Sequence, residues 1–244
     1  MTKTQVDRLG ERLRRGDISE ADLRALDIYR RSFAESYERV VRALTRKLNL
    51  SPTGRPAKST TSIIEKLRRE SIRLTQMQDV AGCRIRVRDV SHQDVTLRRI
   101  TALFDDVTLV DRRARPSHGY RAVHAIVRLK GQPIEIQVRT PLQHLWAELS
   151  EKLADVVDPA IKYGGGAPEF QRFLTISSEL VADHENAVVD GKKLVRKASR
   201  MTDVPKRIKL EIADLKRAHH ASGQRIARLF RETIREFAAK KRGV

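Results

Sequence analysis

The chain has 244 residues, with 50 Lys and Arg against 31 Asp and Glu, a formal charge of +19. That length allows one substantial domain, or a domain with a helical extension. That charge attracts polyanions, whether nucleotides, nucleic acid or acidic lipid, without choosing among them. The single Cys83 excludes an intrachain disulfide, and no His/Cys spacing suits zinc. The charged N-terminus lacks the apolar run of a signal peptide, and no stretch approaches the roughly 20 apolar residues of a membrane span. The expectation is a cytoplasmic protein with no membrane segment.

Residues 19–48 read as helical throughout, because Leu23, Leu26, Tyr29, Phe33, Tyr37, Val40, Val41, Leu44 and Leu48 recur at steps of three and four. Ser19 is the expected N-cap, with Asp22 three residues on as its partner. Residues 49–58 contain Pro52, Gly54 and Pro56 and read as a loop. A second helix is expected over 61–69, opened by Ser59, Thr60, Thr61 and Ser62. The region 79–140 alternates strand and helix, with strands near 83–88, 107–111, 122–129 and 133–139 and a helix over 93–104. A helix over 142–157 ends at Asp158-Pro159, and Gly164-Gly165-Gly166 reads as a flexible break. Helices follow near 168–190, 205–220 and 222–241. From Lys192 onward there are 17 Lys/Arg against 5 Asp/Glu, an excess of 12. Such a tail is either a set of solvated basic helices or a nucleic-acid-binding surface.

The strand Pro133–Thr140 alternates strictly, with Ile134, Ile136 and Val138 on one face and Glu135, Gln137 and Arg139 on the other. A carboxylate can hold a hard cation and a guanidinium can grip phosphate oxygens. A solvated edge strand with salt-bridging side chains accounts for the same alternation. The run Gln78-Asp79-Val80-Ala81-Gly82-Cys83-Arg84-Ile85 is also strand-like, with Cys83, Ile85 and Val87 on its apolar face. Cys83 is therefore expected to be a small buried hydrophobe. Between these runs lies Gly119-Tyr120-Arg121-Ala122-Val123-His124, and upstream lies Lys58-Ser59-Thr60-Thr61-Ser62-Ile63-Ile64-Glu65-Lys66.

These four segments, in this order, closely resemble the synthetase domain of the RelA/SpoT family over roughly residues 50–165. The family strings are R-x-K-x-x-x-S-I-x-x-K, D-I-A-G-x-R-I, G-Y-R-S-x-H and E-I-Q-I-R-T. The resemblance implies an α/β fold of the nucleotidyltransferase kind, a mixed sheet of about five strands flanked by helices. It divides the chain into an N-terminal helical extension (1–50), a synthetase core (51–165) and a basic C-terminal helical region (166–244). It implies transfer of the β,γ-pyrophosphate of ATP to the 3′-hydroxyl of GDP or GTP, releasing AMP. Asp79 and Glu135 would be catalytic and hold Mg²⁺, with Glu135 helping to deprotonate the hydroxyl. Lys58, Ser62 and Arg84 would bind ATP, Arg84 by stacking on adenine. Arg55 stands one place from the family's arginine, because Pro56 occupies that position. Tyr120 would stack on the acceptor base, with His124, Arg112, Arg113, Arg115, Gln137 and Arg139 around the acceptor phosphates.

Trp146-Ala147-Glu148 and Glu151-Lys152 resemble the helix that follows, with Ser150-Glu151 where the family has Glu-His. The family's hydrolase histidine–aspartate pair has no counterpart upstream, which points to a small stand-alone synthetase. Two other products fit the same residues: an adenosine alarmone, and a pyrophosphorylated 3′ end of tRNA as in the family's toxic branch. A non-catalytic RNA- or nucleotide-binding module is the rival of a different class. Small members of the family suggest a tetramer, and toxic ones a neutralising antitoxin partner.

Overall fold

A computed structural model describes residues 1–200 and 204–240. It holds a five-stranded mixed sheet of order β1-β2-β5-β4-β3 with helices around it, the expected α/β fold. The strands are β1 (Thr53–Arg55), β2 (Ala81–Arg86), β3 (Val107–Asp111), β4 (Val123–Leu129) and β5 (Gln132–Arg139). The helices are α1 (Lys3–Arg15), α2 (Glu20–Arg31), α3 (Ala34–Leu48), α4 (Thr60–Arg69), α5 (Val90–Leu103), α6 (Pro141–Val156), α7 (Pro168–Ala198) and α8 (Lys206–Lys240). The chain divides into two compact units. The first comprises Met1–Ile85, Leu97–Val110 and His124–Val138; the second comprises Arg86–Thr96, Asp111–Val123 and Arg139–Val244.

The first unit carries the sheet. The period-2 burial of β2 puts Cys83 and Ile85 in the core, and β5 buries Ile134, Ile136 and Val138 on the same alternation. Leu9, Leu13, Leu26, Phe33, Leu44, Ile63 and Leu67 are buried along α1–α4. Burying a side chain of this kind stabilises by about 1.5–3 kcal/mol. Ser36 on α3 donates to Gln132 Oε1 at 2.8 Å, and Arg99 on α5 donates to the Leu48 carbonyl at 2.9 Å. The first bond ties α3 to the start of β5, and the second ties α5 to the end of α3. The expected Ser19 cap is present: Ser19 Oγ accepts from the Asp22 N–H at 3.1 Å, and Asp22 accepts from the Ser19 N–H at 3.2 Å.

Three details of this unit differ from the sequence expectation. The helix expected over 19–48 is interrupted at Ser32-Phe33, two turn residues that separate α2 from α3. Residues 53–55, expected as loop, form an edge strand paired antiparallel with β2, Thr53 opposite Arg84 and Arg55 opposite Gly82. Helix α1 lies within the expected N-terminal helical extension (1–50), although no separate helix is expected over 3–15.

The second unit is helical. Helices α6, α7 and α8 pack on one another around Trp146, Leu149, Leu153, Leu174, Val181, Ile226 and Phe230. The two helices expected over 205–220 and 222–241 are one, α8, running through Gly223, while Lys241 lies outside the described residues. The helix expected to end near 190 continues to Ala198. Among the described residues no helix is long and apolar enough to cross a membrane.

Candidate active site

In the first unit, the start of β2 and the polar face of β5 supply the carboxylates. Asp79 precedes β2, and its two carboxylate oxygens each meet a lysine. Lys58 Nζ lies 2.6 Å from Oδ2, and Lys66 Nζ lies 2.8 Å from Oδ1. All three side chains are at most 21% exposed. Burial pushes the Asp79 carboxyl up, but Lys66 and Lys58 more than offset this and hold it below its ordinary range. Lys58 is fixed from behind. Its N–H donates to the Val80 carbonyl at 2.6 Å, and Arg30 Nε donates to its carbonyl at 2.7 Å. Lys66 sits one helical turn beyond Ser62 on α4, so the two share a face.

Glu135 occupies the middle of β5. Its Oε1 is 2.9 Å from Nδ1 of His124 on β4, and its Oε2 accepts from Gln137 Nε2 at 2.7 Å. Gln137 Oε1 in turn receives a long hydrogen bond, 3.4 Å, from Arg84 on β2. Burial pushes Glu135 up, and the His124 bond and charge, with Gln137, bring it below the usual carboxylate range; the neighbouring Asp79 charge works against them. Both carboxylates are thus ionised at neutral pH and close enough to feel each other. Gly82 explains why the motif needs a glycine there. A Cβ at this position would stand 2.7 Å from the Glu135 carbonyl oxygen and 3.3 Å from its Cβ.

Ser62 is the third residue of α4. Its N–H donates to the Ser59 cap oxygen at 3.2 Å, and the two hydroxyls lie 2.8 Å apart. The backbone of Arg55 lies opposite Gly82 in the sheet.

The remaining expected residues belong to the second unit. Arg139 is 5% exposed, and it donates to the Tyr120 hydroxyl through Nε at 3.2 Å and Nη2 at 2.7 Å. Its guanidinium carbon also stands 5.0 Å from the centre of the Tyr120 ring. Tyr120 leans on Trp146 with ring centres 6.5 Å apart. Arg113 is bound by Asp111 and Asp94, each at 2.6 Å, so its guanidinium is held by carboxylates. Arg112 is half-buried at the turn after β3, its N–H donating to the Ala122 carbonyl at 2.9 Å. Arg115 is exposed. Glu148 pairs along its helix with His144 at 3.4 Å.

Two features lie outside the sequence expectation. Lys66 is as close to Asp79 as Lys58 is, and its signal is the Ser-Ile-x-x-Lys spacing, which places it on the Ser62 face. The second is a buried polar chain: Gln93 donates to Gln143 at 3.0 Å, Gln143 to Glu185 at 2.9 Å, and Thr140 donates to the same carboxylate. Burial raises the Glu185 carboxyl despite these bonds and the nearby Arg113 and Arg121. Its members are scattered in sequence, so only the fold unites them.

Residues 54–154 match the model of the region found in RelA / SpoT proteins, the family whose motifs the sequence resembles. An uncharacterized protein of Mycobacterium tuberculosis is 41% identical over 111 residues, covering 44% of this chain and 41% of that protein. An uncharacterized protein of Mycobacterium bovis matches to the same extent. The match therefore spans less than half the length of these curated relatives. The crystal structure of the small alarmone synthetase 1 from Bacillus subtilis is similar in fold. The TM-score is 0.50 at 28% identity, covering 74% of this chain and all of that one.

Proposed function

We propose that the chain is a pyrophosphokinase that transfers the β,γ-pyrophosphate of ATP to the 3′-hydroxyl of GDP or GTP. The observation that carries this reading is the pair of ionised carboxylates, Asp79 flanked by Lys58 and Lys66 and Glu135 flanked by His124 and Gln137, within the RelA/SpoT region. In the reaction the acceptor oxygen forms a bond to the β-phosphorus. The bond from the α,β-bridging oxygen to that phosphorus breaks, AMP leaves with the electron pair, and the hydroxyl proton is released. The work is mostly positioning and charge neutralisation.

The donor set fits Mg²⁺: two ionised oxygen ligands suit a hard cation that keeps its other positions for water and phosphate. Among the described residues no cluster of three His, Cys, Asp or Glu offers a fuller cage. Asp79 and Glu135 would hold the ion, which supplies charge neutralisation of the triphosphate. Lys58 and Lys66 then turn their ammonium groups to phosphate oxygens, and Arg84, exposed on β2, stacks on adenine. Glu135, held below its ordinary range, is a weak base. Its part is to accept the hydroxyl's hydrogen bond while the proton leaves late, as the new bond forms. His124 keeps that carboxylate oriented. Tyr120 presents its ring to the acceptor base, steadied by Arg139.

The excess of 12 basic residues from Lys192 onward supports a second reading, in which the acceptor is the 3′ end of tRNA. A second copy or a neutralising partner belongs with these readings as a further proposal. One experiment sorts them: γ-³²P-ATP and Mg²⁺ with GDP, GTP, ATP and deacylated tRNA offered in parallel. We expect label on GDP and GTP. Asp79→Asn and Glu135→Gln should each lower transfer by roughly 10²–10³-fold while the protein stays folded. Label on tRNA alone would replace the first reading with the second. Nucleotide binding without any transfer would leave the binding module.

A further inference from the structure

The second unit contains a cleft of about 900 Å³ that the residues of the transfer reaction do not line. Its long wall is one face of α8, and the facing wall is α7 with the start of α6. Three arginines, Arg228, Arg231 and Arg235, line it at helical spacing. None of them has an ion-pair partner among the described residues. Of the other basic residues of this helix, Arg207 pairs with Glu211 at 3.0 Å and Arg217 with Asp214. Lys206, Lys209, Lys216 and Arg225 have no ion-pair partner among the described residues either; what distinguishes the three arginines is that they line the cleft.

The cleft's own carboxylates do not neutralise the arginines. Asp89 is taken by Lys192 at 2.7 Å, and Glu185 is occupied by Thr140 and Gln143. Among the described residues, Glu232 is the one lining carboxylate with neither role, set against three arginines.

The histidines are placed with equal care. His184 of α7 lies against Gly223 of α8, where a Cβ would come within 3.0 Å of Nε2. His219 of α8 lies against Gly191 of α7, where a Cβ would come within 2.7 Å of Cε1. Each helix thus gives up about 1 kcal/mol of helix propensity at a mid-helix glycine to seat the other's histidine in the cleft. At Gly191 the added Cβ would also crowd Leu215 Cδ2 of α8 at 3.3 Å, so this glycine serves the packing of the two helices as well.

We infer that this cleft is a binding site for a small, multiply phosphorylated anion of nucleotide size, gripped by Arg228, Arg231 and Arg235 and bonded by His184, His219 and His220. The volume is that of small-molecule sites, and the three arginines that line it are exposed to an incoming anion. Three free guanidiniums in a row match the oxygens of a phosphate chain. An imidazole can donate or accept, and burial together with His219 holds the His184 ring below its ordinary range. The site stands independently of the transfer reaction, since it uses none of that reaction's residues.

The test is calorimetric titration of the full-length protein with inorganic tripolyphosphate. It is run in a Lys58→Met/Lys66→Met background so that the lysines around Asp79 do not contribute. One site is expected, weakened roughly tenfold or more when Arg228, Arg231 and Arg235 are changed together to Gln. Ring-proton resonances of His184, His219 and His220 should shift on titration of the background protein, a readout independent of how the triple variant folds. Pyrophosphate transfer to GDP by the triple variant with intact lysines should be unchanged. The inference is overturned if tripolyphosphate does not bind, if the triple variant binds as well as its parent, or if the histidine signals stay still. It is also overturned if a 20-nucleotide RNA binds the arginine stripe and tripolyphosphate fails to displace it.

Discussion

Asp79 shows how one side chain carries both stability and chemistry. Its two lysine contacts hold the carboxyl below its ordinary range, so on acidification the unfolded chain takes up the proton first. The stabilisation is therefore complete above the ordinary aspartate range, near pH ~4, and is lost as pH falls through the lower folded value. Urea titrations of Asp79→Asn should show a shallower loss of stability below about pH 4 than the parent protein. An unchanged acid limb would mean the lysines do not act on this carboxylate in solution. Lys66 is the companion case. Lys66→Met should reduce kcat/KM for ATP by roughly 10–100-fold, since a charged contact to phosphate is worth about 1.5–3 kcal/mol. Lys66 stands in the family spacing, yet only the 2.8 Å contact to Asp79 shows why that position needs an ammonium. That Glu135 and Gln137 share a face is legible from alternation alone, because side chains two apart on a strand point the same way. The pairing of Glu135 with His124 across β5 and β4 needs the register as well, which no single strand records.

At the level of elements, legibility follows periodicity. β2 and β5 are visible in the sequence because burial on one face imposes alternation. β4 is visible because Ala125, Ile126 and Val127 form a continuous apolar run buried on both faces, and β3 because a short β-branched run stands between turn residues. β1 has three residues and no pattern; it is a strand only because β2 offers it an edge. Helix α1 carries few apolar residues, and Gly10 interrupts them where α1 meets Leu74, a contact made by the fold. Gly223 reads as a boundary because glycine disfavours helix, whereas α8 uses it to accommodate His184. Gly82 is the element-scale counterpart at the candidate active site. Gly82→Ala must push β2 away from Glu135 and should cost about 1–3 kcal/mol. A lowered melting temperature together with a loss of transfer is expected. A fully active, equally stable variant would show that the close approach does not matter. Cys83, one residue on, points into the core, and burial with the Glu135 charge pushes its thiol up to about 12. Iodoacetamide at pH 8 should leave it unmodified in the native protein and alkylate it in urea.

For the whole molecule the open choice is the acceptor, and it turns on how many phosphates the chain must hold at once. A charge of +19 with 12 of it from Lys192 onward is legible in the sequence, but its meaning is not. Charge composition reports attraction to polyanions, not which polyanion fills a site. The salt dependence of the reaction separates the two. A tRNA held by six or more basic residues would lose about 10³-fold or more in affinity between 50 and 200 mM salt. A nucleotide held by a few cations and a metal ion releases few counterions, so its KM should rise by less than about tenfold over the same range. We expect the shallow dependence for GDP and GTP, because the charged groups assembled around Asp79 and Glu135 are few. A steep dependence with GDP would mean that the basic helices take part in holding even a free nucleotide. In that case removing charge from α8 should raise KM as salt does, and the first reading would have to place part of its acceptor on the C-terminal helix.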